Sequence, residues 1–352
     1  MRPIRILVVD DSVVARRVIS DILSEEDDFE VVGTAPNGKI ALAKIERLEP
    51  DLVTLDIDMP ELDGIQTLTA IRSSHPRVRA IMVSNHTKRG AAITVEALFL
   101  GASDYVTKAA KSSTRDEARQ NLRQQLVPKI RALTIPTGPG VVPAPARGWR
   151  TPLRQAAAAA VEVVVIGAST GGPNALTTIL ETLPAGLPTP VLIVQHLPAN
   201  FTTFFAERLD TACALEVREA GSGDRIVPGI VSIAPGDLHL EMRSRGGNVE
   251  MVTTNGPLVN SCRPAADILF RSAAKTFGPG VLAVILTGMG RDGLDGSREV
   301  RAAGGRVIAQ DRSTSVVWGM PGQVADAGLA EAILPIDDIG PEIVRRVTAG
   351  RE

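Results

Sequence analysis

Along roughly the first 110 residues, short apolar runs alternate with longer stretches of helical spacing. IRILVV (4–9), EVVGTA (30–35), DLVTLD (51–56), AIMVSN (80–85) and SDYVT (103–107) read as buried strands. Residues 13–23 and 38–48 carry apolar positions at the period of a helix. Strands alternating with helices predict a parallel, doubly wound sheet of about five strands. A second alternation starts at VEVVVIG (161–167) and continues through PVLIVQH (190–196), residues 227–233, VLAVILTG (281–288) and RVIAQD (306–311). Helical spacing returns at 174–183 and 265–277, and hairpin strands are expected around 226–233, 239–242 and 249–253. The fold class is therefore α/β, with two doubly wound domains: an N-terminal (βα)5 unit and a mainly parallel C-terminal unit with an added hairpin.

Between the two patterns the composition shifts. A charged, Arg- and Gln-rich stretch is followed by IPTGPGVVPAPARGWRTPLRQAAAAA, whose repeated Pro and Gly and few large apolar residues cannot build a core. We read residues 1–125 as the first domain, 126–159 as a linker and 160–352 as the second domain. At 352 residues and 44% hydrophobic, the chain has the material for two cores.

A formal charge of −2 gives no basic field for nucleic acid or an anionic membrane. Two cysteines without a CxxC pair suggest neither a disulfide framework nor a zinc site. The N-terminus reaches Asp10 and Asp11 too soon for a signal-peptide apolar region, and no apolar run approaches the roughly 20 residues that span a bilayer. The expectation is a soluble, cytoplasmic protein that neither binds nucleic acid nor inserts directly into a membrane.

In the first domain, chemistry collects at strand ends. Asp10 and Asp11 close the first strand, Asp56 the third and Ser84 the fourth, and Lys108 follows the fifth. The carboxyl ends of a doubly wound sheet converge on one crevice, so these side chains are expected to meet there. Oxygen-only donors suit Mg²⁺. Lys108 would add a cation for phosphoryl oxygens, and Asp56 is a carboxylate able to accept the group covalently. Each aspartate taken singly also fits a helix N-cap. VVDDS, LDIDMPELDG, MVSN and DYVTK resemble response-regulator receiver domains over residues 1 to about 125. That resemblance implies that Asp56 is the phosphoacceptor, that Asp10 and Asp11 join it in holding Mg²⁺, and that Ser84 and Tyr105 form the switch. Such domains usually carry Pro after the lysine; here Ala109 stands there, so the loop after Lys108 is expected to differ.

VVVIGASTGG is a buried strand entering a glycine-rich turn and then a helix. A dinucleotide loop needs glycine where Ser169 stands. A nucleophile elbow needs G-x-S-x-G, which Gly167 to Gly171 supply. The chain holds four histidines. His75 and His86 fall in the first domain; His196 ends a strand at the same sheet edge as Ser169; His239 sits in an expected hairpin, where a structural role is simpler. His196 is thus the candidate base. Asp292 follows a buried strand and is the candidate orienting carboxylate, with Asp295 as competitor and a helix cap as the bland alternative. The TGMG turn offers the Met289 amide as an oxyanion donor.

The order Ser, His, Asp departs from that of the lipase-like α/β-hydrolases. GASTGG (167–172), QHLP (195–198), IAPGDLH (233–239), RPAADILF (263–270) and TGMGRDG (287–293) together resemble the chemotaxis protein-glutamate methylesterase (CheB) family, and with the first domain the resemblance spans nearly the whole chain. It implies Ser169 as nucleophile, His196 as base and Asp292 as orienter. It also implies hydrolysis of glutamate γ-methyl esters on methyl-accepting chemotaxis receptors with release of methanol, often with glutamine deamidation, under phosphorylation by a chemotaxis histidine kinase. The unphosphorylated receiver is then expected to cover part of the catalytic site. No cofactor is expected in the second domain. Two other readings stay open on the residues alone: a nucleotide-dependent α/β enzyme, and a receiver-controlled adaptor without catalysis.

Overall fold

A computed structural model describes residues 2–85, 87–108, 114–134 and 159–349, and its chain divides into two units, Met1–Ile135 and Pro136–Glu352. Ala109, His86 and the Pro-rich segment lie outside the described residues.

In the first unit the strands are β1 (Ile4–Val9), β2 (Phe29–Ala35), β3 (Leu52–Asp56), β4 (Arg79–Ser84) and β5 (Asp104–Thr107), and the helices are α1 (Val13–Ser24), α2 (Gly38–Leu48), α3 (Gly64–Ser74), α4 (Lys88–Phe99) and α5 (Arg115–Thr134). All neighbours pair in parallel, in the order β2-β1-β3-β4-β5. The central strands bury both faces, which is why IRILVV and LVTLD run apolar without alternation. Helix starts are fixed locally. The side chains of Ser12, Asn37 and Thr87 cap α1, α2 and α4, and Asp63 with Gln66 closes a reciprocal capping box on α3. Helix α5 buries Leu126, Val127, Ile130 and Leu133. Residues 126–134, placed in the linker by composition, thus belong to this helix, whose polar surface masked its apolar stripe.

Among the described residues the second unit has nine strands: β6 (Val163–Ala168), β7 (Val191–Gln195), β8 (Glu216–Glu219), β9 (Ile230–Ile233), β10 (His239–Arg245), β11 (Asn248–Thr254), β12 (Val281–Ile285), β13 (Arg306–Gln310) and β14 (Ala332–Leu334). Its helices are α6 (Gly172–Glu181), α7 (Phe201–Asp210), α8 (Ala266–Phe277), α9 (Leu294–Ala302), α10 (Met320–Asp326) and α11 (Ile336–Thr348). Seven strands form a parallel sheet in the order β14-β13-β12-β6-β7-β9-β8, and β10 and β11 form the antiparallel hairpin. The expected hairpin strand at 226–233 is instead β9, paired in parallel with β7 and β8.

The chain leaves β6 in one direction through β7 and later in the other through β12 and β13, so the winding reverses between β6 and β12. Ligand sites of open α/β sheets form at such reversals, beyond the carboxyl ends of the strands. Val165, Leu269, Phe270, Ala283, Ile285 and Val307 lie in the core that holds this sheet on α8.

Candidate active site

Ser169 follows β6 at the reversal. Its N–H donates to Thr287 O (3.0 Å), and its carbonyl accepts from Gly172 N–H (2.8 Å) and from the buried Gln195 side chain (2.9 Å). The elbow glycines are required by space. A Cβ at Gly167 would stand 2.8 Å from Ala266 Cβ, one at Gly172 would meet Gln195 Oε1 at 2.0 Å, and Gly171 has φ +77° with Val316 2.6 Å from the position of an added Cβ. Helix α6 begins at Gly172, with Pro173 in its first turn. The serine is left partly exposed on this rigid turn.

His196 follows β7, and its N–H donates to Ala168 O (3.1 Å). Because Ala168 pairs with Gln195 in register, Ser169 and His196 are each one residue past a paired position on neighbouring strands. Adjacent strands lie about 4.8 Å apart, so the two side chains leave the sheet at the same edge. His196 Nε2 lies 2.8 Å from Asp292 Oδ2, while Nδ1 lies 3.5 Å from Cys262 Sγ.

Asp292 is 1% exposed and comes from the turn after β12. Its carboxylate accepts the N–H groups of Ala266 (2.6 Å) and Asp267 (3.1 Å), at the start of α8, and the Asn260 amide (3.2 Å). The helix N-terminus stabilises negative charge there. Burial works against the charged carboxylate, but His196 and the two backbone amides outweigh it and hold its pKa below the ordinary value. An ionised carboxylate only accepts, so His196 Nε2 carries a proton and donates it. The lone pair of the neutral ring is then on Nδ1. Burial opposes a charged His196, but Asp292 and the Cys262 sulfur raise its pKa, so the ring sheds its Nδ1 proton before that lone pair becomes available.

The TGMG turn crosses the serine: a Cβ at Gly288 would lie 2.8 Å from Ser169 Cβ and 2.4 Å from Met320 Sδ. Thr287 anchors this turn, its N–H on Gln310 Oε1 (2.8 Å) and its hydroxyl on Thr170 O (2.9 Å). Met289 follows, partly exposed, ahead of Gly290 at φ +79°.

The alternatives raised by the sequence separate cleanly. Asp295 is half-exposed and pairs with Arg291 and Arg298. His239 is buried, its Nε2 2.9 Å from Pro257 O. His75 caps the end of α3. Asn260, Cys262 and Asp267 were not singled out from the sequence as functional. Asp267 holds Asn260 (2.7 Å) and the Gly296 N–H (2.6 Å), and burial together with the nearby Asp292 and Asp295 raises its pKa. Its place in RPAADILF was the available signal.

The first unit gathers its predicted crevice as well. Carboxylate oxygens of Asp10, Asp11 and Asp56 lie within 4.8 Å of one another, a donor set of oxygens alone that fits Mg²⁺. Lys108 Nζ lies 2.8 Å from Asp10 and 3.0 Å from Asp56. Burial raises the Asp56 pKa to about 6, with Lys108 opposing and Asp10 reinforcing the shift. Ser84 is buried at the adjacent strand end, its hydroxyl 3.3 Å from Gly90 O. Tyr105 is 9% exposed, with the Lys129 ammonium 4.8 Å from its ring centroid.

A carboxylate crevice on one parallel sheet and a serine, histidine and aspartate at the winding reversal of another define a response regulator whose second unit is a hydrolase. The sequence profile of the response regulator receiver domain matches residues 6–119, and that of the CheB methylesterase family matches residues 164–343. A protein-glutamate methylesterase/protein-glutamine glutaminase of Trichodesmium erythraeum (strain IMS101) is 48% identical over 352 residues, 99% of this chain and 100% of its own. Its counterpart in Nocardioides sp. (strain ATCC BAA-499 / JS614) is 50% identical over 359 residues, 100% of this chain and 97% of its own. The crystal structure of the Thermotoga maritima CheB methylesterase catalytic domain is 42% identical with a TM-score of 0.52, covering 53% of this chain and 99% of that one. The chain belongs to the CheB methylesterase family. Among the described residues no helix is long and apolar enough to cross a membrane.

Proposed function

We propose that this protein hydrolyses glutamate γ-methyl esters on methyl-accepting chemotaxis receptors, and deamidates receptor glutamines by the same route, under control of phosphorylation at Asp56. The observation that carries the chemistry is the state of His196. Nε2 donates to the saturated carboxylate of Asp292, which leaves Nδ1 as the ring's basic nitrogen, and His196 stands at the same sheet edge as Ser169.

Ser169 Oγ attacks the ester carbonyl as its proton passes to His196 Nδ1. The Met289 amide donates to the oxyanion, where preorganised N–H groups act without reorganisation. Collapse of the tetrahedral intermediate breaks the bond to methoxide, which takes the proton from His196 and leaves as methanol. Water, deprotonated by the same nitrogen, then attacks the acyl-serine and frees the glutamate. Ammonia replaces methanol when the substrate is glutamine. Asp292 stays ionised throughout and holds the tautomer.

In the receiver unit, Asp10, Asp11 and Asp56 would hold Mg²⁺, which when bound offsets the charge of an incoming phosphoryl group. Lys108 adds a cation to the phosphoryl oxygens, and Ser84 and Tyr105 respond to the phosphorylated state. The phosphoryl donor is a chemotaxis histidine kinase, and the setting is the cytoplasm.

Trapping the acyl-enzyme tests the nucleophile. A γ-methyl-glutamyl receptor peptide quenched in acid during turnover should leave a glutamyl ester on Ser169, located by mass spectrometry and absent from Ser169→Ala. An adduct on Cys262 instead would overturn the assignment.

A further inference from the structure

Cys262 reaches the nitrogen on which the proposed chemistry depends. Its Sγ is 3.5 Å from His196 Nδ1 and 3.4 Å from Asn260 O, while Nε2 is held on the far side by Asp292 at 2.8 Å. A carboxylate behind one ring nitrogen fixes the tautomer and aims the other lone pair outward, the arrangement found behind metal-bound histidines. A tetrahedral zinc ion about 2.3 Å from a thiolate and about 2.0–2.1 Å from an imidazole sets sulfur and nitrogen roughly 3.5 Å apart. The two atoms therefore already stand at the spacing of ligands to one ion. Both side chains are partly exposed, so an ion has a way in.

We propose that Cys262 Sγ and His196 Nδ1 form a two-ligand site for a soft divalent cation of the zinc class, and that its occupancy stops the esterase by taking the lone pair that Ser169 needs. Binding replaces protons on both ligands: Cys262–SH, His196 Nδ1–H where the ring is charged, and Zn²⁺ give thiolate–zinc and imidazole–zinc bonds with those protons released to water, and water fills the remaining positions. Ligand softness separates this site from the receiver crevice. Thiolate and imidazole select zinc, and the carboxylate set of Asp10, Asp11 and Asp56 suits Mg²⁺. The magnesium required for phosphorylation would leave the esterase untouched. The site stands on geometry alone, whereas its inhibitory effect rests on the proposed esterase activity.

Two measurements on the full chain, both in excess Mg²⁺, keep these parts distinct. Co²⁺ added to the Ser169→Ala protein should give a thiolate-to-cobalt charge-transfer band at one ion per chain. The band should persist in the Cys213→Ser background, since Cys213 Sγ faces the carbonyls of Leu209 and Leu215, and disappear with Cys262→Ser. No band in Ser169→Ala, or a band surviving Cys262→Ser, would overturn the site. In the second, Zn²⁺ should inhibit methanol release reversibly on chelation. Cys262→Ser should raise the half-inhibitory Zn²⁺ concentration about ten-fold or more, each variant being compared with its own metal-free rate. Equal sensitivity of the two proteins would overturn the inhibitory role, even with the cobalt band in place.

Discussion

At the residue scale, Asp292 meets two demands with one carboxylate. It satisfies two amides at the start of α8, and it holds His196 by Nε2. Asp292→Asn keeps the shape but presents an amide to groups that all donate. We expect kcat to fall on the order of 10³–10⁴-fold with KM little changed, as when a triad carboxylate is neutralised. A fall of less than about ten-fold would show that Asp292 does not set the tautomer. Ser169 and His196 were legible in the sequence because each stands just past a strand, where topology alone brings it to the edge, and Asp292 because it lies in the glycine-rich turn after β12. Asn260 and Cys262 were not. They lie on a loop ahead of α8, with Asn260 at φ 51° and Ser261 at φ 62°, and only the fold carries Cys262 across 66 positions to His196. Which ring nitrogen faces Asp292 was equally beyond the sequence.

At the scale of elements, the turn after β12 and the last helix each set a condition on the site. Gly288→Ala would drive a methyl group against Met320 Sδ and Ser169 Cβ, and Met320 is fully buried. We expect a stability loss of about 1–3 kcal/mol, as for overpacking, seen as a lower denaturation midpoint, together with a lower kcat. Unchanged stability and rate would show that the turn has slack. Helix α11 packs on α6, the helix the elbow leads into: a Cβ at Gly340 would lie 1.9 Å from Thr182 Oγ1. Glu342 on α11 accepts from Arg345 and Arg346, and hydrogen bonding from Arg345 first, with Arg346 adding to it against a burial penalty, lowers its pKa to about 2. An unfolded glutamate titrates near 4.3, so this stabilisation is fully present above that value and is lost as pH falls through about 2. Glu342→Gln should lower stability at neutral pH by on the order of 1 kcal/mol or less, because solvent screens the pair, seen as a lower Tm, and the difference should close between about pH 4 and pH 2. A gap independent of pH would rule out this linkage. The strands readable from the sequence included the buried central ones, the edges β2 and β5 of the first sheet and the β10–β11 hairpin. β8 and β14 escaped because they are short edges of four and three residues, where a single partner strand leaves little apolar pattern.

At the scale of the whole molecule, the chain joins a crevice suited to phosphorylation and a site suited to acyl transfer, and both were legible because parallel sheets place chemistry at strand ends. The boundary between them was less so: α5 runs to Thr134 on a sequence whose charged surface resembles a linker. Acetyl phosphate with Mg²⁺ should raise the esterase rate of the native protein, and Asp56→Asn or removal of Mg²⁺ by EDTA should abolish the increase while the basal rate persists. Activation that survives Asp56→Asn would place control elsewhere. The most direct test of the central claim is methanol release from methylated receptor membranes, with the native protein set beside Ser169→Ala. The account predicts steady release by the native protein and none above background from the variant; equal release by both would contradict it.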